Sequence, residues 1–114
     1  MKVLTAVLPL LLAARAFAGD GATADEQAPT VHRYLIERTF PAGALDGLDA
    51  AAKARVNANN STVGVHWVKS FANEDRTKTF CIYEGPSEEA IRQSAALNNL
   101  PVDSITEVPV DLTP

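Results

Sequence analysis

The sequence is poor in the residues that cross-link a chain or template it on a metal. One cysteine, Cys81, excludes an internal disulfide and any cysteine-rich zinc site. The only two histidines, His32 and His66, stand far apart, and no His-x-His, His-x3-His or Cys-x2-Cys spacing occurs. Basic residues are outnumbered 10 to 14, for a net charge of −4. No cationic excess is available to neutralise phosphates, which argues against a nucleic-acid partner. Seven prolines and six glycines are too few for a collagen-like or low-complexity chain. No nucleophile–base or acid–base constellation can be named, so the sequence assigns no reaction.

What is present suits one small folded domain. The chain has 114 residues, 46% of them hydrophobic and 21% charged, a balance that favours a packed core over disorder. Lys2, the apolar run Val3 to Ala14 and the Ala16-Phe17-Ala18 cleavage pattern predict a signal peptide over residues 1–18. The apolar run is short for a membrane span. The expectation is export to the periplasm or the extracellular medium, with no membrane partner after cleavage. Cleavage removes two of the 10 basic residues and none of the 14 acidic ones, leaving a net charge of −6. An acidic surface attracts cations without identifying a metal. Residues 19–30 read as a flexible linker, 31–110 as the folded domain and 111–114 as a tail. A domain of that size holds a core only just unaided, and a second copy would bury more apolar surface.

Within the domain, hydrophobic periodicity predicts six elements. Val31 to Phe40 is rich in β-branched and aromatic residues and reads as a strand ended by Pro41. Leu45, Leu48, Ala52 and Val56 recur at helical spacing from Ala44 to about Asn57. Thr62–Phe71 and Thr77–Glu84 read as strands around a hairpin loop at 72–76. Ser87 is the expected N-cap of a second helix, with Glu88 and Glu89 in its first turn and Asn98-Asn99 at its end. Ser104 to Val110 is the last strand, with Pro109 suiting an edge or a strand end. The order strand, helix, strand, strand, helix, strand is the split βαβ arrangement. The expected fold class is α+β: a ferredoxin-like βαββαβ domain, its four-stranded antiparallel sheet carrying both helices on one face. The first strand should lie beside the third and fourth. The other face is then solvated or covered by a second copy, and a homodimer is expected.

Several stretches together resemble a known bacterial family. They are Tyr34-Leu35-Ile36-Glu37-Arg38, Val65 to Phe71, Thr79 to Pro86, Glu89-Ala90-Ile91-Arg92 and Leu100 to Val108. They are similar to the small nickel-binding ferredoxin-like proteins classed as domain of unknown function 4242. The resemblance spans roughly residues 31–108 and implies a ferredoxin-like homodimer that binds nickel. The chain departs from the family pattern at two positions where members often carry histidine, with Lys69 before the strand serine and Ser94 in the second helix. Imidazole is the ligand that suits nickel, so these departures bear on the metal and leave the fold expectation intact.

Four residues are the candidate metal ligands: His66, Glu84, Glu37 and His32. A hairpin centred on Glu74 pairs His66 with Ile82 and Trp67 with Cys81, and sets Glu84 diagonal to His66 on one sheet face. Imidazole and carboxylate on one face form part of a site for Ni(II) or Zn(II); a plain strand histidine is the competing reading. Glu37 is open between metal ligand and salt-bridge partner, with Arg38 pointing to the opposite face. His32 sits at the start of the fold. A dimer doubles the ligand count without any sequence motif. Cys81 reads as a buried small hydrophobe unless Lys69 lies close enough to activate it. Trp67 and Tyr83 read as core or interface aromatics. The leading function is a dimeric binding protein for nickel or another divalent transition metal. The alternative is a dimeric α+β barrel that binds a small ligand or catalyses an unassigned reaction, and a purely structural domain is the third reading.

Overall fold

The computed structural model describes residues 30–114. The signal peptide over 1–18 and all but the last residue of the linker lie outside this range. The elements are β1 (His32–Thr39), α1 (Ala50–Ser61), β2 (His66–Ala72), β3 (Lys78–Gly85), α2 (Glu88–Leu97) and β4 (Ser104–Glu107). The sheet order is β2-β3-β1-β4 and every pairing is antiparallel. The βαββαβ order, the central β1 and the shared helix face are as expected from the sequence. Among the described residues no helix is long and apolar enough to cross a membrane.

Alternation along the two central strands divides the faces. Tyr34, Ile36 and Arg38 of β1 and Thr79, Cys81 and Tyr83 of β3 are buried beneath the helices. Leu35, Glu37, Ile82 and Glu84 point to the open face and are half-buried. The core joins Tyr34, Ile36, Cys81 and Tyr83 to Val65, Ala90 and Ile91. A side chain at Gly85 would be crowded: an added Cβ would lie 3.1 Å from Val65 Cγ2 and 3.3 Å from Ile91 Cδ1. That close approach sets how tightly α2 sits on β3.

Helix α2 begins and ends as predicted. The Ser87 hydroxyl accepts from the Ala90 amide at 3.1 Å, Glu88 and Glu89 occupy the first turn, and Asn98 is the C-cap. Asn99 then takes the left-handed conformation at φ 56, and the Leu100 amide closes back on the Ala95 carbonyl at 2.9 Å.

Helix α1 differs from the sequence expectation at both ends. It starts at Ala50 rather than Ala44, because the Asp49 carboxylate caps it, accepting from the Ala52 amide at 2.8 Å. The preceding segment forms successive turns around Gly43, which sits at φ 81. The helix runs on through Asn59 and Asn60, past the end near Asn57 expected from the sequence. Asn60 is buried, and its side-chain oxygen accepts from Asn98 Nδ2 at 2.9 Å, which ties the ends of the two helices together. Tertiary contact here overrides weak helix propensity. Strand β2 consequently starts at His66 instead of Thr62, after a turn in which Gly64 holds φ 74.

The hairpin register also departs from expectation. His66 faces Glu84 and Trp67 faces Tyr83, not Ile82 and Cys81. A bulge between Trp67 and Lys69 then shifts the pairing, so that Lys69 meets Ile82 and Ser70 meets Cys81. The loop is stabilised by Asn73 Oδ1, which accepts from the Thr77 and Lys78 amides at 3.0 Å each. The ladder of β4 is shorter than Ser104–Val110. Its last backbone bond runs from the Val108 amide to the Arg33 carbonyl at 2.9 Å, and Pro109 has no N–H to continue it.

Candidate functional site

The open sheet face carries a pair of metal-type donors. His66 at the start of β2 and Glu84 near the end of β3 are directly opposed across the two strands. This is closer than the diagonal placement expected from the sequence, and the two remain on one face because the register error is two residues for this part of the hairpin. His66 is exposed and Glu84 half-buried. Arg33 flanks Glu84 on the β1 side, but turns its Nε to the Val108 carbonyl at 3.0 Å. Among the described residues Glu84 forms no ion pair.

The other two candidates lie elsewhere. Glu37 shares the open face but pairs with Phe80, toward the opposite end of the strands, and its carboxylate is 3.7 Å from Lys78 Nζ. Lys78 also reaches Asp103 at 3.2 Å. Glu37 therefore sits in a charge cluster with a lysine, the salt-bridge alternative left open by the sequence. His32 lies on the helix side with Tyr34, and the Glu107 carboxylate accepts from its Nδ1 at 2.7 Å. The structure thus sets His66 opposite Glu84 and places Glu37 toward the other end of the strands, while His32, turned to Glu107 on the other face, borders one shallow surface pocket with Glu84. Among the described residues no group of three or more His, Cys, Asp or Glu is placed to hold an ion. One chain supplies two donors at the His66–Glu84 position, fewer than the four that nickel takes in a square-planar N,O sphere.

Apolar side chains share the open face with this pair. Phe71 and Phe80 oppose each other across β2 and β3, with Phe71 60% exposed, and Leu35 and Ile82 fill the centre of the face. Lys69 lies on the same face, its Nζ 5.5 Å from the Phe71 ring. That placement sets Lys69 away from Cys81, which is buried on the other face with its sulfur 3.6 Å from the Thr79 hydroxyl. Ser94, the other departure from the family's histidines, is wholly buried in α2 and donates to the Ile91 carbonyl at 2.8 Å.

The family of SCO4226-like nickel responsive proteins matches residues 34–108, most of the described chain. The chain belongs to this family. That membership agrees with the resemblance drawn from the sequence. The crystal structure of SCO4226 from Streptomyces coelicolor A3(2) is similar, with a TM-score of 0.60 at 23% identity, over 70% of this chain and 99% of that one. At that identity the likeness supports the shared fold. No curated protein matches the chain.

Sequence reasoning passes over Arg38, noting only that it points away from Glu37. It is the largest fully buried side chain of the domain, and Nη1 donates to the Pro101 carbonyl at 2.7 Å. The signal was available: alternation with Tyr34 and Ile36 puts an arginine on the face that must be apolar.

Proposed function

We propose that the chain is an exported homodimeric protein that binds nickel, or another divalent transition metal, through His66 and Glu84. The observation that carries the reading is their direct opposition on the open sheet face, with Glu84 in no ion pair among the described residues. Membership of a family described as nickel responsive supports the choice of metal. The apolar surface of Leu35, Phe71, Phe80 and Ile82 supports a second copy packing over that face, since a contiguous exposed apolar patch marks an interaction site. Two copies bring two imidazoles and two carboxylates, a donor set of the N,O type that suits nickel. His66 and Glu84 would hold the ion, which would act as bound cargo. No reaction is assigned.

Calorimetric titration of the purified chain with nickel and with zinc tests the metal. Saturable binding lost in His66→Ala and in Glu84→Gln is the expected result; no binding at micromolar nickel ends the reading. Sedimentation of the same samples tests the assembly, with a dimer expected and Phe71→Glu predicted to yield monomer.

A further inference from the structure

The last residues of the chain leave the sheet with nothing to pack on. Beyond the bond from the Val108 amide to the Arg33 carbonyl, residues 109–114 are all exposed, Val110 at 70% and Leu112 at 88%. No helix or strand forms there. Val108, Val110 and Leu112 recur at period two, which gives an extended segment one apolar edge. Between Ser104 and Pro114 the chain carries Glu107 and Asp111 and no basic residue. Glu107 is engaged by His32, so Asp111 is the charge of the tail itself. A single exposed leucine means little. What singles the tail out is a surface elsewhere on the domain that matches it.

That surface is a groove of about 540 Å³ at β2, the opposite edge of the sheet. Leu45, Leu48, Trp67 and Phe71 give it apolar walls, and Lys53 and Arg76 are its charged lining residues, with no acidic one. Among the described residues neither cation is in an ion pair. On a chain with an acidic excess, such a groove favours an apolar segment that carries negative charge. As an edge strand β2 also has outer backbone groups without a strand partner, so an extended segment laid along it gains backbone bonds as well as apolar contact. The chain cannot fill its own groove in this way. Leu112 lies four residues past Val108, a reach of about 14 Å at full extension. The two edges are three strand spacings apart, about 14 Å in a straight line, and a path across the sheet face or around the helices is longer.

We propose that the groove receives residues 109–114 of a second copy of this chain, with Val110 and Leu112 against its apolar walls and Asp111 turned to Lys53 and Arg76. Made reciprocally, the contact closes a two-fold pair. Phe71 belongs both to the groove and to the apolar open face, so the two surfaces are continuous. The inference rests on the reading that the chain pairs with a second copy, and it does not depend on metal binding.

Trp67 is the only tryptophan of the chain and lines the groove, so its fluorescence reports on occupancy. The test uses the full chain with Val110→Asp and Leu112→Asp, which stops its own tails from competing; both positions are exposed, so folding is not at stake. An acetylated peptide of residues 108–114, Val-Pro-Val-Asp-Leu-Thr-Pro, is expected to change the fluorescence saturably. The same peptide with Leu112→Asp is expected to bind at least about tenfold more weakly, the loss that follows exposure of one leucine side chain. Lys53→Glu on the chain is expected to weaken the native peptide and to favour a peptide with Asp111→Lys. No saturation with the native peptide, equal binding of the Leu112→Asp peptide, or no reversal of preference in Lys53→Glu would overturn the proposal. Sedimentation of the peptide-free samples reads the pairing of open faces separately: a dimer that takes no peptide sinks this inference alone, and a monomer that binds the peptide upholds it without that pairing.

Discussion

The two helices cover the same sheet but pack on it very differently. In α2 the buried positions are Ala90, Ile91, Ser94 and Ala95, a continuous stripe with Ile91 wholly enclosed and Gly85 of β3 cut back to admit it. In α1 the only buried residue is Asn60, and Val56 is the one large apolar side chain of the helix, half-buried. The sheet beneath α1 offers small groups in turn: Ser70, Thr79 and Cys81. Small residues above and below cannot fill the gap between a helix and a sheet, so a cavity remains there, and the turn carrying Leu45 and Leu48 closes only part of it. One half of the helix layer is built for stability. The other half is packed more loosely and holds a buried arginine.

The sharpest way to break this contrast is to truncate one side chain in each helix. Ile91→Ala should cost about 2–5 kcal/mol, because a fully enclosed side chain leaves a cavity that its neighbours only partly close. Val56→Ala should cost about 1 kcal/mol, since it borders an existing void. Urea denaturation measures both, and equal losses would show the helices to be equivalent. Gly85→Ala comes next. Its methyl group would crowd Val65 and Ile91, and a loss of about 1–3 kcal/mol from overpacking is expected in the same measurement. A neutral result would mean that α2 is free to shift.

The helix caps sharpen the comparison at lower cost. Asp49→Ala and Ser87→Ala each remove a side-chain acceptor from a helix N-terminus, an effect of about 1 kcal/mol. Hydrogen exchange should show Asp49→Ala speeding exchange mainly within α1, and Ser87→Ala lowering the stability of the whole domain. The smallest effect lies outside the helix layer and serves as a control. The Thr39 hydroxyl, and less strongly Lys78, holds the Asp103 carboxyl below its usual value of 3.8. The resulting stability is present above the unfolded-state value and is lost as pH falls through the lower folded-state value. Asp103→Asn should therefore flatten the acid limb of a stability-against-pH curve, without favouring either helix. Unchanged acid unfolding would remove Asp103 from the account.

Much of the site was legible because strand alternation is a short-range property. His66 and Glu84 share a face under the expected register and under the observed one, since an offset of two residues preserves the facing of every side chain. The separation of His32 from His66 was not legible, because it depends on the β1–β3 register, which pairs His32 with Gly85 and so sets it on the face opposite Glu84 and His66. The bulge after Trp67 was equally hidden. Strict alternation from His66 would put Ser70 on the open face and Phe71 beneath the helices. The bulge exchanges them, which brings Ser70 to the cavity wall and exposes Phe71. The late start of α1 traces to Asp49, whose capping role competes with a helical pattern that Leu45 and Leu48 extend falsely backwards.

By itself the sequence determined the six elements, their order, the central place of β1 and the family, because period-two and helical patterns, turn residues and caps are written into adjacent positions. Only the tertiary structure decided which residues meet: that Glu84 lies opposite His66, that Glu37 is held by Lys78, and that Arg38 is enclosed with no carboxylate in ion-pair range among the described residues. Those outcomes depend on the packing of distant segments, and the loose fit of α1 over small sheet residues exists only once the two surfaces are brought together.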